Sequence, residues 1–121
     1  MKFLCLCNHG NVRSVALRTL IWRTNGDKLT GTTPELIKNF VKNEAIAMGA
    51  HSTTRETLEM LINWADKVID LSDNDEQINP LLEELSGDKY IRYDIGPDIW
   101  GYSLHPDLQN KLKPLMKLLF P

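Results

Sequence analysis

Cysteine is scarce in this chain, and the scarcity excludes several classes at once. Only Cys5 and Cys7 occur in 121 residues. There is no second pair to build a disulfide scaffold or a four-ligand zinc site. The two flank Leu6 on what reads as one strand, so they point to the same face, and a bond between such neighbours would strain the backbone. Unpaired thiols fit a reducing compartment. Basic clusters are missing too. Lys and Arg number 14 against 16 Asp and Glu, a formal charge of −2, with no run that resembles a nucleic-acid footprint. A bound phosphate would therefore have to be held by a local site. Long apolar runs are absent as well: the opening Met1 to Cys7 stretch is broken by Asn8-His9-Gly10-Asn11, too soon for a signal peptide, and no segment approaches membrane-spanning length. The expectation is a cytoplasmic protein with neither nucleic acid nor membrane as partner.

No repeat, low-complexity tract or linker divides the chain. With 42% apolar and 25% charged residues it can build an ordinary core, and its length suits one domain over residues 1–121. Short apolar runs alternate with helical periodicity. Lys2 to Leu6 reads as a buried strand and Arg13 to Arg23 as a helix with Val15, Leu17, Leu20 and Ile21 inward, stopped by Asn25-Gly26-Asp27. Thr33-Pro34 opens a helix to about Asn43, by capping residue and first-turn proline. Ala45 to Met48 is a second strand closed by Gly49, Thr54 to Ala65 a helix, and Lys67 to Leu71 a third strand. A helix from about Asn74 to Leu85, interrupted near Pro80, leads to a fourth strand at Lys89 to Tyr93. His105-Pro106-Asp107 opens a last helix ending near Phe120. This alternation predicts an α/β fold: a four-stranded parallel sheet with helices on both faces. Ligands in such folds bind beyond the carboxyl ends of the strands, which directs attention to the segment after the first strand.

That segment is Cys7-Asn8-His9-Gly10-Asn11-Val12-Arg13-Ser14. A short loop entering a helix exposes amide N–H groups that converge on one anion. Gly10 allows a tight turn or a positive φ. Arg13 can fold its planar fork around two phosphate oxygens. Asn8, His9, Gly10, Asn11 and Val12, with Arg13 and Ser14, form the expected phosphate cradle, and Cys7 sits at its base as nucleophile. Helix N-termini and nearby cations favour the thiolate form of a cysteine. Ser14 can donate to that thiolate, and Asn11 can pin the loop by bonding backbone. The expected chemistry is attack on a phosphate monoester to give a phosphocysteine that water hydrolyses, with no metal or cofactor needed. A lone Cys followed by an Arg is otherwise most often a small buried hydrophobe and a surface charge.

Such a reaction needs an acid for the leaving oxygen. Tyr93-Asp94-Ile95-Gly96-Pro97-Asp98-Ile99-Trp100-Gly101 follows the fourth strand and reaches the same sheet edge. Asp98 is the preferred acid and Asp94 the alternative, although an Asp beside Gly and Pro is often turn chemistry alone. Trp100 is equally a candidate wall against an aryl phosphate and a packing residue. A thiolate with an Asp acid puts the best kcat/KM on the acidic side of neutrality.

Over nearly its whole length the chain resembles the low-molecular-weight protein tyrosine phosphatases, a family with relatives that act as arsenate reductases. The resemblance rests on the apolar strand leading into Cys7, on Arg13-Ser14 at the spacing Cys-x5-Arg-Ser, on Pro97-Asp98-Ile99-Trp100-Gly101 late in the chain, and on Asn63 to Leu71 around the third strand. It implies Cys7 as nucleophile, Arg13 as phosphate clamp, Ser14 as thiolate partner and Asp98 as acid. The implied substrate is a phosphotyrosine protein or a small aryl phosphate, and inorganic phosphate or sulfate would fit the same loop. The chain departs from the family at four points: Gly10 stands three rather than two residues after the cysteine, Val12 replaces a frequent second cysteine, Ile99 rather than Pro follows Asp98, and Ala47-Met48-Gly49-Ala50 only faintly echoes the second strand's end. An arsenate reductase using an external thiol, a cysteine phosphocarrier and a catalytically impaired phosphoprotein-binding module are the competing readings.

Overall fold

Phe3 to Cys7 form an unbroken run of buried residues, the pattern of a strand covered on both sides. They belong to β1, Lys2–Cys7, one of two inner strands of a sheet in the computed structural model, which describes residues 1–25 and 42–121. β2, Glu44–Gly49, pairs with β1 on one side and β3, Lys67–Asp70, on the other; β4, Tyr90–Arg92, lies outside β3. All pairings are parallel and the order is β2-β1-β3-β4. The register sets Cys7 beside Gly49 and Leu6 beside Asp70. The expected α/β fold, a single domain with a four-stranded parallel sheet, is what the chain forms.

Successive side chains of β1 serve opposite faces. Phe3, Cys5 and Cys7 pack with Ala16, Leu17 and Ile21 of α1, Arg13–Arg23, and with Leu108, Leu112 and Leu115 of α4, Pro106–Leu119. Leu4 and Leu6 pack with Leu58 and Ile62 of α2, Arg55–Trp64, and with Leu82 of α3, Ile78–Ser86. Each fully buried leucine contributes about 1.5–3 kcal/mol relative to exposure. Thr54 caps α2 by accepting the Thr57 N–H, and His105 caps α4 through Nδ1, which accepts the Asp107 N–H ahead of Pro106.

Several boundaries differ from the expectation. In α1 it is Ala16, rather than Val15, that turns fully inward. α3 begins at Ile78 instead of about Asn74, because Asp75 Oδ1 takes the N–H groups of Gln77 and Ile78 and starts the helix there. Pro80 then falls in the first turn, where its missing N–H costs nothing, so it does not interrupt the helix. A 3₁₀ turn, Gly87–Lys89, takes the first residue of the expected fourth strand. The helix expected from Thr33-Pro34 lies outside the described residues up to 41. Beyond them, Lys42 and Asn43 are irregular and both donate their N–H groups to Asn25 Oδ1 at 3.0 Å.

Candidate functional site

β1, β2, β3 and β4 all run the same way, so the segments after them share one edge of the sheet. The first two are stitched together just beyond the strands: Ala50 N–H donates to the Cys7 carbonyl at 2.7 Å and His51 N–H to the Asn8 carbonyl at 3.0 Å. The 8–12 loop then folds over the end of β2. Gly10 has φ +75°, and a Cβ there would lie 2.6 Å from Gly49 N; a Cβ on Gly49 would lie 2.5 Å from the His9 carbonyl carbon. Two glycines thus meet where two backbones cross, and neither has room for a side chain. This crossing accounts for the position of Gly10 within the loop.

The turn aims Gly10 N–H at Cys7 Sγ, 3.1 Å away. Ser14, fully buried on the first turn of α1, brings Oγ to 3.1 Å from the same sulfur. α1 starts at Val12 with no side-chain cap and no acidic residue in its first turn. Its positive end is therefore not offset from within the helix itself.

Arg13, the first residue of α1, is 2% exposed. Nη1 donates to Asp73 Oδ1 at 2.6 Å and to the Gly96 carbonyl at 3.1 Å, and Nη2 donates to Asn8 Oδ1 at 2.7 Å. A guanidinium carries five N–H groups; Arg13 Nε is buried and has no partner among the described residues. Asn8 Oδ1 also accepts the Asp73 N–H at 2.8 Å. Two donors converging on one amide atom identify it as the oxygen. Arg13 in this way gathers the loops that follow β1, β3 and β4.

No protein-family model, curated protein or solved structure matches this chain.

The two candidate acids have different surroundings. Asp94 Oδ1 accepts the Gly96 N–H at 2.9 Å, closing a turn that presents the Gly96 carbonyl to Arg13. Asp98 is exposed, two residues beyond Gly96, on the segment that Arg13 holds. Trp100 is buried in the cluster that contains Cys7, with the Lys111 ammonium 5.3 Å from its ring centre. Asn11 is exposed, and the pinning expected of it falls to Asn8. His9 is exposed as well, its ring 6.1 Å from that of His51. Cys5 is sealed in the core, where burial pushes its thiol far above the usual range, so it stays protonated and inert. Among the described residues no cluster of three His, Cys, Asp or Glu is arranged to hold a metal, and no helix is long and apolar enough to cross a membrane.

Three contributors escaped the sequence reading. Asp73 belongs to the segment after β3, which shares the ligand edge of the sheet; the rule that singled out the other two loops would have reached it. Gly49 carried a signal only as the end of a strand. The third is a buried network at the end of β3. Asp70, wholly buried, accepts hydrogen bonds from Ser72 N–H and Ser72 Oγ on one oxygen, and from Asn79 Nδ2 (2.7 Å) and Tyr90 Oη (2.6 Å) on the other. Arg92 Nη1 stands 3.5 Å from the second oxygen. Burial, followed by the Asp70 hydrogen bond, pushes the Tyr90 phenol well above its ordinary range.

Proposed function

We propose that the chain is a cysteine-dependent phosphate monoester hydrolase of the protein tyrosine phosphatase type, with an aryl phosphate such as phosphotyrosine as substrate. The observation that carries this reading is a sulfur that accepts the Gly10 N–H and is hydrogen-bonded to Ser14 Oγ, beside a buried arginine whose Nε–H has no partner among the described residues. A buried unpaired donor is costly, and it points to a ligand that completes it. An uncapped helix start beside it favours an anion. The resemblance in the Cys-x5-Arg-Ser spacing supports the same assignment.

In this mechanism the Cys7 thiolate attacks phosphorus in line with the ester oxygen. The S–P bond forms as the P–O ester bond breaks, and Asp98 gives its proton to the departing oxygen. Arg13 Nε–H and the amides of the 8–14 segment hold the equatorial oxygens as charge spreads over them. Water then attacks the phosphocysteine and loses a proton to the Asp98 carboxylate; the S–P bond breaks, and thiolate and inorganic phosphate are released. Ser14 steadies the sulfur whenever it carries charge.

The test is hydrolysis of para-nitrophenyl phosphate with chelator present. Wild type should turn over, Cys7→Ser should be inactive while still binding vanadate, and Arg13→Ala should lose both. Asp98→Asn should fall by about 10²–10⁴-fold and lose the alkaline limb of its pH profile, while Asp94→Asn should act mainly by loosening its turn. A wild type that binds phosphate without turnover would leave a binding module in place of an enzyme.

A further inference from the structure

We propose that Asp73 is the positioning residue for Arg13: it holds the guanidinium by one nitrogen so that the opposite edge is presented to the phosphoryl group. The inference rests on the phosphatase reading of the site. Both hydrogens of Nη1 are engaged, one by Asp73 Oδ1 and one by the Gly96 carbonyl, and one hydrogen of Nη2 by Asn8 Oδ1. Among the described residues, Nε–H and the second Nη2 hydrogen have no partner. Those two nitrogens share one edge of the planar group, and two parallel N–H bonds from one edge match two oxygens of an oxyanion.

An acidic side chain against a phosphate-binding arginine could instead be a competitor that the substrate must displace. The geometry opposes that, because Asp73 bonds Nη1 and not the Nε edge. Asp73 is itself held in place: its N–H is fixed by the Asn8 side-chain oxygen that also bonds Arg13, and Ser72 beside it is locked to Asp70. The Asp73 side chain is about half exposed, so its loss leaves the core intact. The effect passes through the orientation of Arg13, and small misplacements of a catalytic group cost far more in rate than in stability.

The experiment compares wild type, Asp73→Asn, Arg13→Lys and the double variant. The readouts are para-nitrophenyl phosphate kinetics, the inhibition constant for vanadate, and the NMR signal of Arg13 Nε–H before and after inorganic phosphate is added. Asp73→Asn should lower kcat/KM by about ten- to a hundredfold, mostly in kcat, and weaken vanadate comparably. It should melt near wild type and show a displaced or broadened Arg13 Nε–H signal before any phosphate is added. In the Arg13→Lys background the same substitution should have little further effect, since the two residues act as a unit. Tighter vanadate binding in Asp73→Asn, or a loss that persists in full without Arg13, would overturn the positioning role. A wild type that neither hydrolyses the ester nor binds phosphate would bring down the phosphatase reading itself, whereas an active wild type with an unaffected Asp73→Asn would bring down only this inference.

Discussion

Arg13 and Asp70 are both charged and almost wholly buried at the same edge of the sheet, yet they are finished differently. Asp70 is saturated. Its two oxygens receive four hydrogen bonds and face a guanidinium, all from residues within its own loop, α3 or β4. Arg13 bonds three separate loops and still keeps a bare Nε. A buried charge that is fully answered by the protein is a structural fastener, whereas one left short of a partner is prepared for something that arrives later. Arg18 Nε and Arg92 Nη2 are also buried without partners, so what distinguishes Arg13 is that its bare Nε comes together with bonds to three loops at the end of the sheet that carries Cys7.

The sharpest way to break the comparison is to alter each charge with little change of volume. Arg13→Lys keeps the positive charge but removes the Nε edge. It should cost about 10²–10³-fold in hydrolysis of para-nitrophenyl phosphate, with a shift in the urea midpoint smaller than that of Asp70→Asn, since Lys keeps the charge and one of the loop bonds. Asp70→Asn should do the reverse, losing about 3 kcal/mol of stability because the replaced oxygen can no longer answer its donors, while the folded fraction keeps most of its phosphate affinity. Equal effects on both readouts in both variants would erase the distinction.

The difference also marks where the sequence was legible. Apolar runs and caps located every strand and the helices after β2, β3 and β4, since periodicity and capping are local and survive without tertiary knowledge. The start of α3 was missed because Asp75, rather than the residues nearer β3, performs the capping. Cys7, Gly10, Arg13 and Ser14 could be nominated because their chemistry is packed into eight residues. Asp73 and Asn8 meet across 65 positions, and Tyr90 reaches Asp70 across 20. Such contacts depend on strand order, which the alternation of elements leaves open. The same is true of the crossing of Gly10 over Gly49.

That crossing offers an intermediate case, in which fold and site are strained together. Gly10→Ala should cost about 1–3 kcal/mol, from the positive φ and from the contact with Gly49, and should also displace the N–H that bonds Cys7. Stability and turnover should therefore fall in step, measured by urea unfolding and by ester hydrolysis, unlike either charge variant. An alanine variant with full activity would mean that the loop tolerates a second path.

The smallest effect separates the fastener from its surroundings by pH. Tyr90 donates its hydroxyl proton to Asp70, and its folded-state pKa lies above the ordinary tyrosine value, first through burial and then through that hydrogen bond. A raised folded value means that the folded state holds the proton more tightly than the unfolded chain does. The associated stability is fully present below about pH 10, where tyrosine is protonated in both states, and is lost as pH rises from there towards the folded value. Tyr90→Phe removes both the hydrogen bond and the titration. At neutral pH it should be less stable than wild type by about 1 kcal/mol. Above pH 10 the gap should narrow, as ionisation of the unfolded tyrosine erodes the wild type alone. Taking the difference between the two proteins in thermal unfolding from pH 7 to 11 cancels the lysines and other tyrosines they share. A gap that widens with pH would mean that Asp70 does not share its buried charge with Tyr90 as a proton acceptor, and the saturated half of the comparison would need another set of partners.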